Sequence, residues 1–157
     1  GAFLAVWVIV YGMVQASAPS MLKSKDAKAS VASVVTYTGL LAVPLLVTGG
    51  FVYAQVQPIF SLIVGLCVYG CVFAVASSLH SWLVVALHDD ERTVERVGLY
   101  YSANAVGRLS GTLVSGGVYA LAPSAAIGLT HCLLASVLAV LCACMGMVLL
   151  KRAQACA

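Results

Sequence analysis

The chain has 157 residues, of which 62% are hydrophobic and only 8% are charged, and its formal net charge is +3. Soluble domains carry roughly 25% charged residues, so this composition excludes a soluble enzyme. It also excludes a nucleic-acid-binding module, because the basic residues are few and dispersed. Long uncharged stretches predict an integral membrane protein that is in contact with the lipid bilayer.

Apolar stretches predict five membrane-spanning helices, since a hydrocarbon core of ~30 Å needs about 20 residues that each rise ~1.5 Å. The predicted spans cover about residues 2–22, 29–54, 59–87, 97–121 and 124–150. Strands of an outer-membrane barrel alternate apolar and polar residues over ~10 positions, whereas these runs are continuous. Pro44 and the pair Gly49-Gly50 are expected to bend the second span. The predicted fold class is an all-α, polytopic membrane helix bundle.

The basic residues predict the orientation of these spans. The loops after the first, third and fifth spans hold seven of the eight basic residues: Lys23, Lys25, Lys28, Arg92, Arg96, Lys151 and Arg152. The positive-inside rule then places the C-terminus in the cytoplasm, and the expected location is the plasma (inner) membrane. The sequence begins abruptly in an apolar stretch without Met. We therefore expect it to be the C-terminal fragment of a longer chain, with the missing N-terminal half of that chain as its partner.

Arg108 is the eighth basic residue, and it falls near the middle of the fourth span. An arginine at that depth costs about 2.5–3.5 kcal/mol on insertion scales. It shares one helix face with Tyr101, Asn104, Thr112 and Ser115, because these positions are three or four residues apart. Its planar guanidinium suits a phosphate-like oxyanion. The alternative is a structural arginine that pairs with an acid outside this sequence.

Other polar residues in the spans give weaker signals. His80 could donate to an anion or carry a proton, and a hydrogen bond between helices would explain it equally well. Gln15 could line a pore or bond to a neighbouring helix. The six cysteines are expected to pack as small apolar residues. The sequence contains no nucleotide loop, nucleophile constellation or zinc spacing, so we expect no enzyme activity, no cofactor and no metal site.

Three segments resemble a known family. The segment from Gly98 to Gly116, GLYYSANAVGRLSGTLVSG, resembles the eleventh helix of the organoarsenical-efflux permeases of arsenic-resistance operons (ArsJ type), a branch of the major facilitator superfamily. The segment FAVASSLHSWLV, Phe73 to Val84, resembles their tenth helix, and WVIVYGMVQASAP, Trp7 to Pro19, resembles their eighth. The resemblance implies that the five spans are helices eight to twelve of twelve.

The resemblance also implies export of 1-arseno-3-phosphoglycerate, which would confer resistance to arsenate. In an alternating-access carrier, two bundles rock about a site near the bilayer midplane. The expected substrate-binding residues are Arg108, Asn104, Tyr101, His80 and Gln15. The alternatives are a carrier of the same superfamily for another organic or phosphorylated anion, and a membrane subunit that transports nothing. The sequence leaves open whether a proton or a counter-anion drives transport.

Overall fold

Six α-helices make up the regular secondary structure of the described residues. The computed structural model describes residues 2–21, 27–86 and 93–156. The helices are α1 (Ala2–Met21), α2 (Ala27–Leu40), α3 (Ala42–Tyr53), α4 (Pro58–Ala86), α5 (Thr93–Ala120) and α6 (Ala125–Cys156). The prediction of an all-α helix bundle is confirmed. Most of the charged loop residues lie in 22–26 and 87–92, outside the described residues.

Three helical segments are long and apolar enough to cross a membrane: Ala32–Tyr53, Pro58–Val84 and Ala125–Leu149. They correspond to the second, third and fifth predicted spans. The first span contains a shorter apolar helix, Ala5–Ser17. The fourth span, α5, has 28 residues, which is sufficient length, but polar residues such as Asn104 and Arg108 lower its hydropathy. The chain is therefore a membrane protein, and the crossings by α1 and α5 stay predictions.

The second span is bent, and the break between α2 and α3 lies at Leu41. The amide of Leu41 bonds to the carbonyl of Thr38 at 3.2 Å, which is a tighter turn than that of an α-helix. Pro44 explains the break, because proline has no N–H to donate to the carbonyl of Leu40 and its ring crowds that carbonyl. Gly49 and Gly50 lie inside the continuous helix α3. Proline alone thus accounts for the bend.

The bent α2–α3 unit lies between α4 and α6. One core cluster joins Ala42 and Leu45 of α3 to Leu133 and Val137 of α6. A second cluster joins Val34 of α2 to two leucines of α4, Leu79 and Leu83. On the outside of this arrangement, α1 packs against α4, and α5 packs mainly against α6 with a smaller contact to α4.

Two glycines of α4 allow other helices to approach closely. A Cβ atom at Gly65 would overlap the side chain of Thr48 on α3, and one at Gly70 would lie 2.8 Å from the indole ring of Trp7 on α1. The indole Nε1 of Trp7 also donates a hydrogen bond to the carbonyl of Leu66 at 3.0 Å. Small residues that admit a close neighbour are typical of helix contacts in membranes.

A short turn connects α3 to α4. Gln55 and Gln57 have positive φ angles of 57° and 41°, a left-handed conformation that costs a non-glycine residue about 1–2 kcal/mol. The Gln55 side chain compensates in part by donating to the carbonyl of Val52 at 3.0 Å. Pro58 then begins α4, at a first-turn position where a missing N–H costs little. The turn ends the second span within a few residues of its predicted boundary.

Candidate functional site: the polar face of α5 and its neighbours on α4 and α1

Arg108 lies near the middle of α5, as the sequence predicts, and it is exposed. Its guanidinium makes no hydrogen bond or ion pair with any residue that the structure describes. Glu95 is the acidic residue of the described ranges, and it is 13 positions away on the same helix. Helical rise puts that separation at about 20 Å. Within the described ranges, the charge of Arg108 therefore has no counterion.

The rest of the polar face divides into paired and unpaired groups. Thr112 donates to the carbonyl of Arg108 at 2.8 Å, and Ser115 donates to the carbonyl of Thr112 at 3.2 Å. These hydroxyls are thus satisfied by their own helix. Asn104 lies one turn before Arg108, is exposed, and has no hydrogen bond to a described residue. The amide of Asn104 and the guanidinium of Arg108 are consequently open to a ligand within the described ranges.

Tyr101 is 62% exposed, and its ring lies edge-on to that of Tyr100 with centroids 5.6 Å apart. The hydroxyl of Tyr100 pairs with Ser81 of α4 at 3.2 Å. Tyr100 thus fixes the start of α5 against α4, while Tyr101 remains on the open side. The expectation that Tyr101 belongs to the polar face is consistent with this exposure.

Helix α5 contacts the other helices near its two ends. At its far end the thiol of Cys132 on α6 donates to the carbonyl of Ser115 at 3.3 Å, and Tyr119 lies against Gly128. Every residue from 101 to 114 is exposed. A Cβ at Gly107 or Gly111 would meet no described atom within 4 Å. Within the part of the chain that the structure describes, no other helix therefore packs closely on α5 at Gly107 and Gly111.

His80 is half-buried on α4, and its Nδ1 lies 2.8 Å from the carbonyl of Ala76. A carbonyl only accepts, so Nδ1 carries a proton, and Nε2 of the neutral ring is an acceptor. The neutral side chain can therefore bond to a hydroxyl or amide but cannot donate to an anion through Nε2. A second proton on the ring would make Nε2 a donor.

Gln15 is half-buried on α1, and its backbone carbonyl accepts a hydrogen bond from Ser78 of α4 at 2.9 Å. The two helices are also joined by stacked rings: Trp7 on Tyr11, Tyr11 on Phe73, and Phe73 on Tyr69. The structure thus places Gln15 in the contact between α1 and α4, near the segment that carries His80. This position is compatible with both roles predicted for Gln15.

The structure brings the predicted residues together in part. Residues 78–81 of α4 contact α1 through Ser78 and α5 through Ser81. His80 thus belongs to the segment of α4 that contacts both α1, which carries Gln15, and α5, which carries the other candidates. Arg108 lies seven positions beyond Tyr101, about 10 Å along the axis. Sequence reasoning missed Ser78 and Ser81 as links between helices. Their spacing of three on one apolar helix was the available signal.

Five cysteine side chains that the structure describes are free thiols: Cys67, Cys71, Cys132, Cys142 and Cys144. Two of them donate hydrogen bonds to backbone carbonyls of other helices. Cys144 donates to the carbonyl of Val35 at 3.8 Å, as Cys132 does to Ser115. Among the residues that the structure describes, no group of three or more metal-ligating side chains comes together. The thiols of Cys132 and Cys144 therefore lie in helix contacts, where a small polarizable side chain packs well.

Comparison with known protein families, curated proteins and solved structures finds no match for the chain. The resemblance to the organoarsenical-efflux permeases thus rests on the three sequence segments alone, and it stays a prediction.

Proposed function

We propose that the protein is a membrane carrier that moves a small organic anion by alternating access. Arg108 is the observation that carries this proposal. It is a permanent charge in the middle of a helix, exposed, and without a described counterion. Because lipid contact would cost several kcal/mol at mid-membrane, its face suits a water-filled cavity. A guanidinium in such a cavity binds a phosphate or arsenate group through two parallel hydrogen bonds.

The other candidate residues would complete the substrate site. Asn104 and Tyr101 lie on the exposed side of α5 and would donate hydrogen bonds to oxygens of the substrate. His80 and Gln15 would contribute from α4 and α1. Because Nδ1 of His80 is already bonded to Ala76, His80 would donate to an anion only when it is doubly protonated.

For the substrate we propose 1-arseno-3-phosphoglycerate, on the strength of the family resemblance. This small polyanion suits a site that holds a cation and neutral donors. The carrier would reside in the plasma (inner) membrane with a cytoplasmic C-terminus, and alternating access would move this bundle relative to a second one.

Replacing Arg108 by lysine tests the anion site. Lysine keeps the charge but loses the planar fork. Loss of one charge-assisted hydrogen bond, about 1.5 kcal/mol, corresponds to roughly tenfold weaker binding. We expect Arg108→Lys to lower export about tenfold at unchanged protein abundance, with both quantities measured in cells that express the complete gene. A loss of abundance would instead indicate a structural arginine, and an unchanged export rate would contradict the anion site.

A second pair of variants separates the two roles of Arg108. Asn104→Asp places a carboxylate four residues before the arginine, where the two side chains can pair. This internal counterion would compete with the substrate, so export should fall further than in the matched variant Asn104→Ala. Equal export by the two variants would indicate that Arg108 does not contact the anion.

The identity of the substrate can be tested through the enzyme that produces it. The resemblance implies an acyl arsenate, a mixed anhydride that forms when glyceraldehyde-3-phosphate dehydrogenase acts on arsenate in place of phosphate. Cells that express the carrier should therefore resist arsenate only when the matching dehydrogenase is present. Resistance without that enzyme would favour a carrier for another anion.

A further inference from the structure

An open apolar groove runs between the α2–α3 unit and α4, on a face that Arg108 and its neighbours do not share. Its cavity volume is about 610 Å³. Valines of both helices line its walls, including Val43 and Val47 on α3 and Val64 and Val68 on α4, and all four are exposed. No charged residue among those that the structure describes lines it. The close contact of Gly65 with Thr48 joins α3 to α4 at the floor of the groove.

The two ends of the groove differ in chemistry. Gln57 and Ser61 lie at its mouth, beside the turn that connects α3 to α4. Gln57, whose backbone has the left-handed conformation, lies at this mouth. Such conformations concentrate at functional positions. Away from the mouth the lining is apolar as far as Val72 on α4. The groove is thus polar where the helices leave the membrane and apolar where they cross it.

We propose that this groove binds one acyl chain of a bilayer phospholipid, with the head group at Gln57 and Ser61. The distance along α4 from Phe60 to Val72 is about 18 Å by helical rise. One leaflet of the hydrocarbon core is about 15 Å thick, half of ~30 Å. An acyl chain has this length and is as apolar as the lining. A shallower depression adjoins the mouth over Ile59 and Ile63, and it can take the second chain of the same lipid.

A transmembrane helix fits the groove less well than an acyl chain does. A helix about 10 Å wide and 18 Å long occupies roughly 1,400 Å³, more than twice the cavity volume of about 610 Å³. Only part of the cross-section of such a helix would fit into the groove. Because the lining is uncharged, the groove has no means of selecting an anionic head group, so binding should be independent of lipid charge.

Native mass spectrometry of the protein expressed from its complete gene tests this proposal. The protein is transferred into nanodiscs of phosphatidylcholine or of phosphatidylglycerol and then released in mild detergent. Wild-type protein should retain one phospholipid more than Val47→Phe/Val64→Phe, whose two rings fill the groove. The matched control is Val8→Phe on α1, which is 57% exposed and lines no described cavity, and it should retain lipid as the wild type does.

Retention should be equal from the two lipids. The proposal is overturned if the wild type retains no phospholipid, if the double variant retains as many as the wild type, or if phosphatidylglycerol is retained at least tenfold better. A groove that another helix of the protein covers would give the first of these results. If the double variant does not fold, Val68→Phe alone narrows the same groove and should also retain less lipid than the wild type.

Discussion

At the residue scale, the contact between Gly65 and Thr48 sets how closely α3 and α4 approach. A Cβ at position 65 would overlap the Oγ1, Cβ and Cγ2 atoms of Thr48. A rotation of the threonine side chain cannot relieve this overlap, because the Cβ atom moves only with the backbone. Thr48 itself is buried. The two helices would therefore have to separate to accommodate any larger residue.

Gly65→Ala should lower the free energy of unfolding by about 1–3 kcal/mol, the usual cost of overpacking a well-packed contact. The measurement is unfolding of the purified protein in detergent micelles by increasing fractions of sodium dodecyl sulfate. Gly50→Ala is the matched control, since a Cβ at Gly50 would meet no described atom within 4 Å. That control should be neutral or slightly stabilising, because alanine is the better helix former. Equal stability of the two variants would contradict the close contact.

At the element scale, the bend between α2 and α3 depends on Pro44. The proline removes the backbone hydrogen bond to the carbonyl of Leu40, and the amide of Leu41 bonds to the carbonyl three residues earlier, that of Thr38, rather than four. The side chain of Thr38 is buried, and its hydroxyl has no hydrogen-bond partner within the described ranges. The bend therefore concentrates incompletely satisfied polar groups at one level of the span, and such groups are costly in lipid.

Pro44→Ala should allow α2 and α3 to become one continuous helix. The amide hydrogens of residues 41–45 should then exchange with deuterium more slowly, because each gains or keeps a bond to the carbonyl four residues earlier. Pro58→Ala provides the control. Pro58 lies at the start of α4, where no such bond is missing, so exchange near residue 58 should not change. Unaltered exchange at 41–45 would show that packing rather than proline holds the bend.

The sequence predicted the helix boundaries well, because the bilayer imposes a length and the punctuating residues are explicit. Pro58 begins α4, and the turn at residues 54–57 ends α3, within a few positions of the predicted limits. The position of the break followed from Pro44, and a bend at the glycine pair during rocking stays a prediction. These features depend on short stretches of chain, so local pattern determines them.

The contacts between helices were not predictable in the same way. With 14 glycines in the chain, nothing in the pattern singles out Gly65 or Gly70 as points of close approach. The bond from His80 to Ala76, which fixes the tautomer, depends on a side-chain rotamer. The openness of the face around Arg108 depends on how far α5 lies from its neighbours. These properties come from tertiary packing, and periodicity carries little information about it.

At the scale of the whole molecule, the helix order predicts which loops share a side of the membrane. If α1 and α5 cross the bilayer along with the three apolar segments, the turns at residues 54–57 and 121–124 lie on the same side. The described basic residues at the opposite helix ends, Arg96 and Arg152, are both exposed. The positive-inside rule predicts that these arginines lie in the cytoplasm.

Reporter fusions test this topology. Alkaline phosphatase, which is active only outside the cytoplasm, should be active when it is fused after Gln57 and after Pro123, and inactive after Ala157. Green fluorescent protein, which fluoresces when it folds in the cytoplasm, should give the converse pattern. Fusion abundance, determined by immunoblot, is the control. An active phosphatase after Ala157 would reverse the orientation, and unequal results at 57 and 123 would show that α5 does not cross.

The hydroxyl pair of Ser81 and Tyr100, 3.2 Å apart, joins α4 to α5 across an otherwise slight contact. A bond of this type contributes on average only about 0.6 kcal/mol within a membrane. Helix α1 contacts α4 through stacked aromatic rings, and α5 contacts α6 through Ser115 and Tyr119. Helices α1 and α4 thus form one group and α5 and α6 form another, with the bent α2–α3 unit packed between the two groups. A bond of that strength is comparable to thermal energy, so it adds little to the cohesion of α4 and α5.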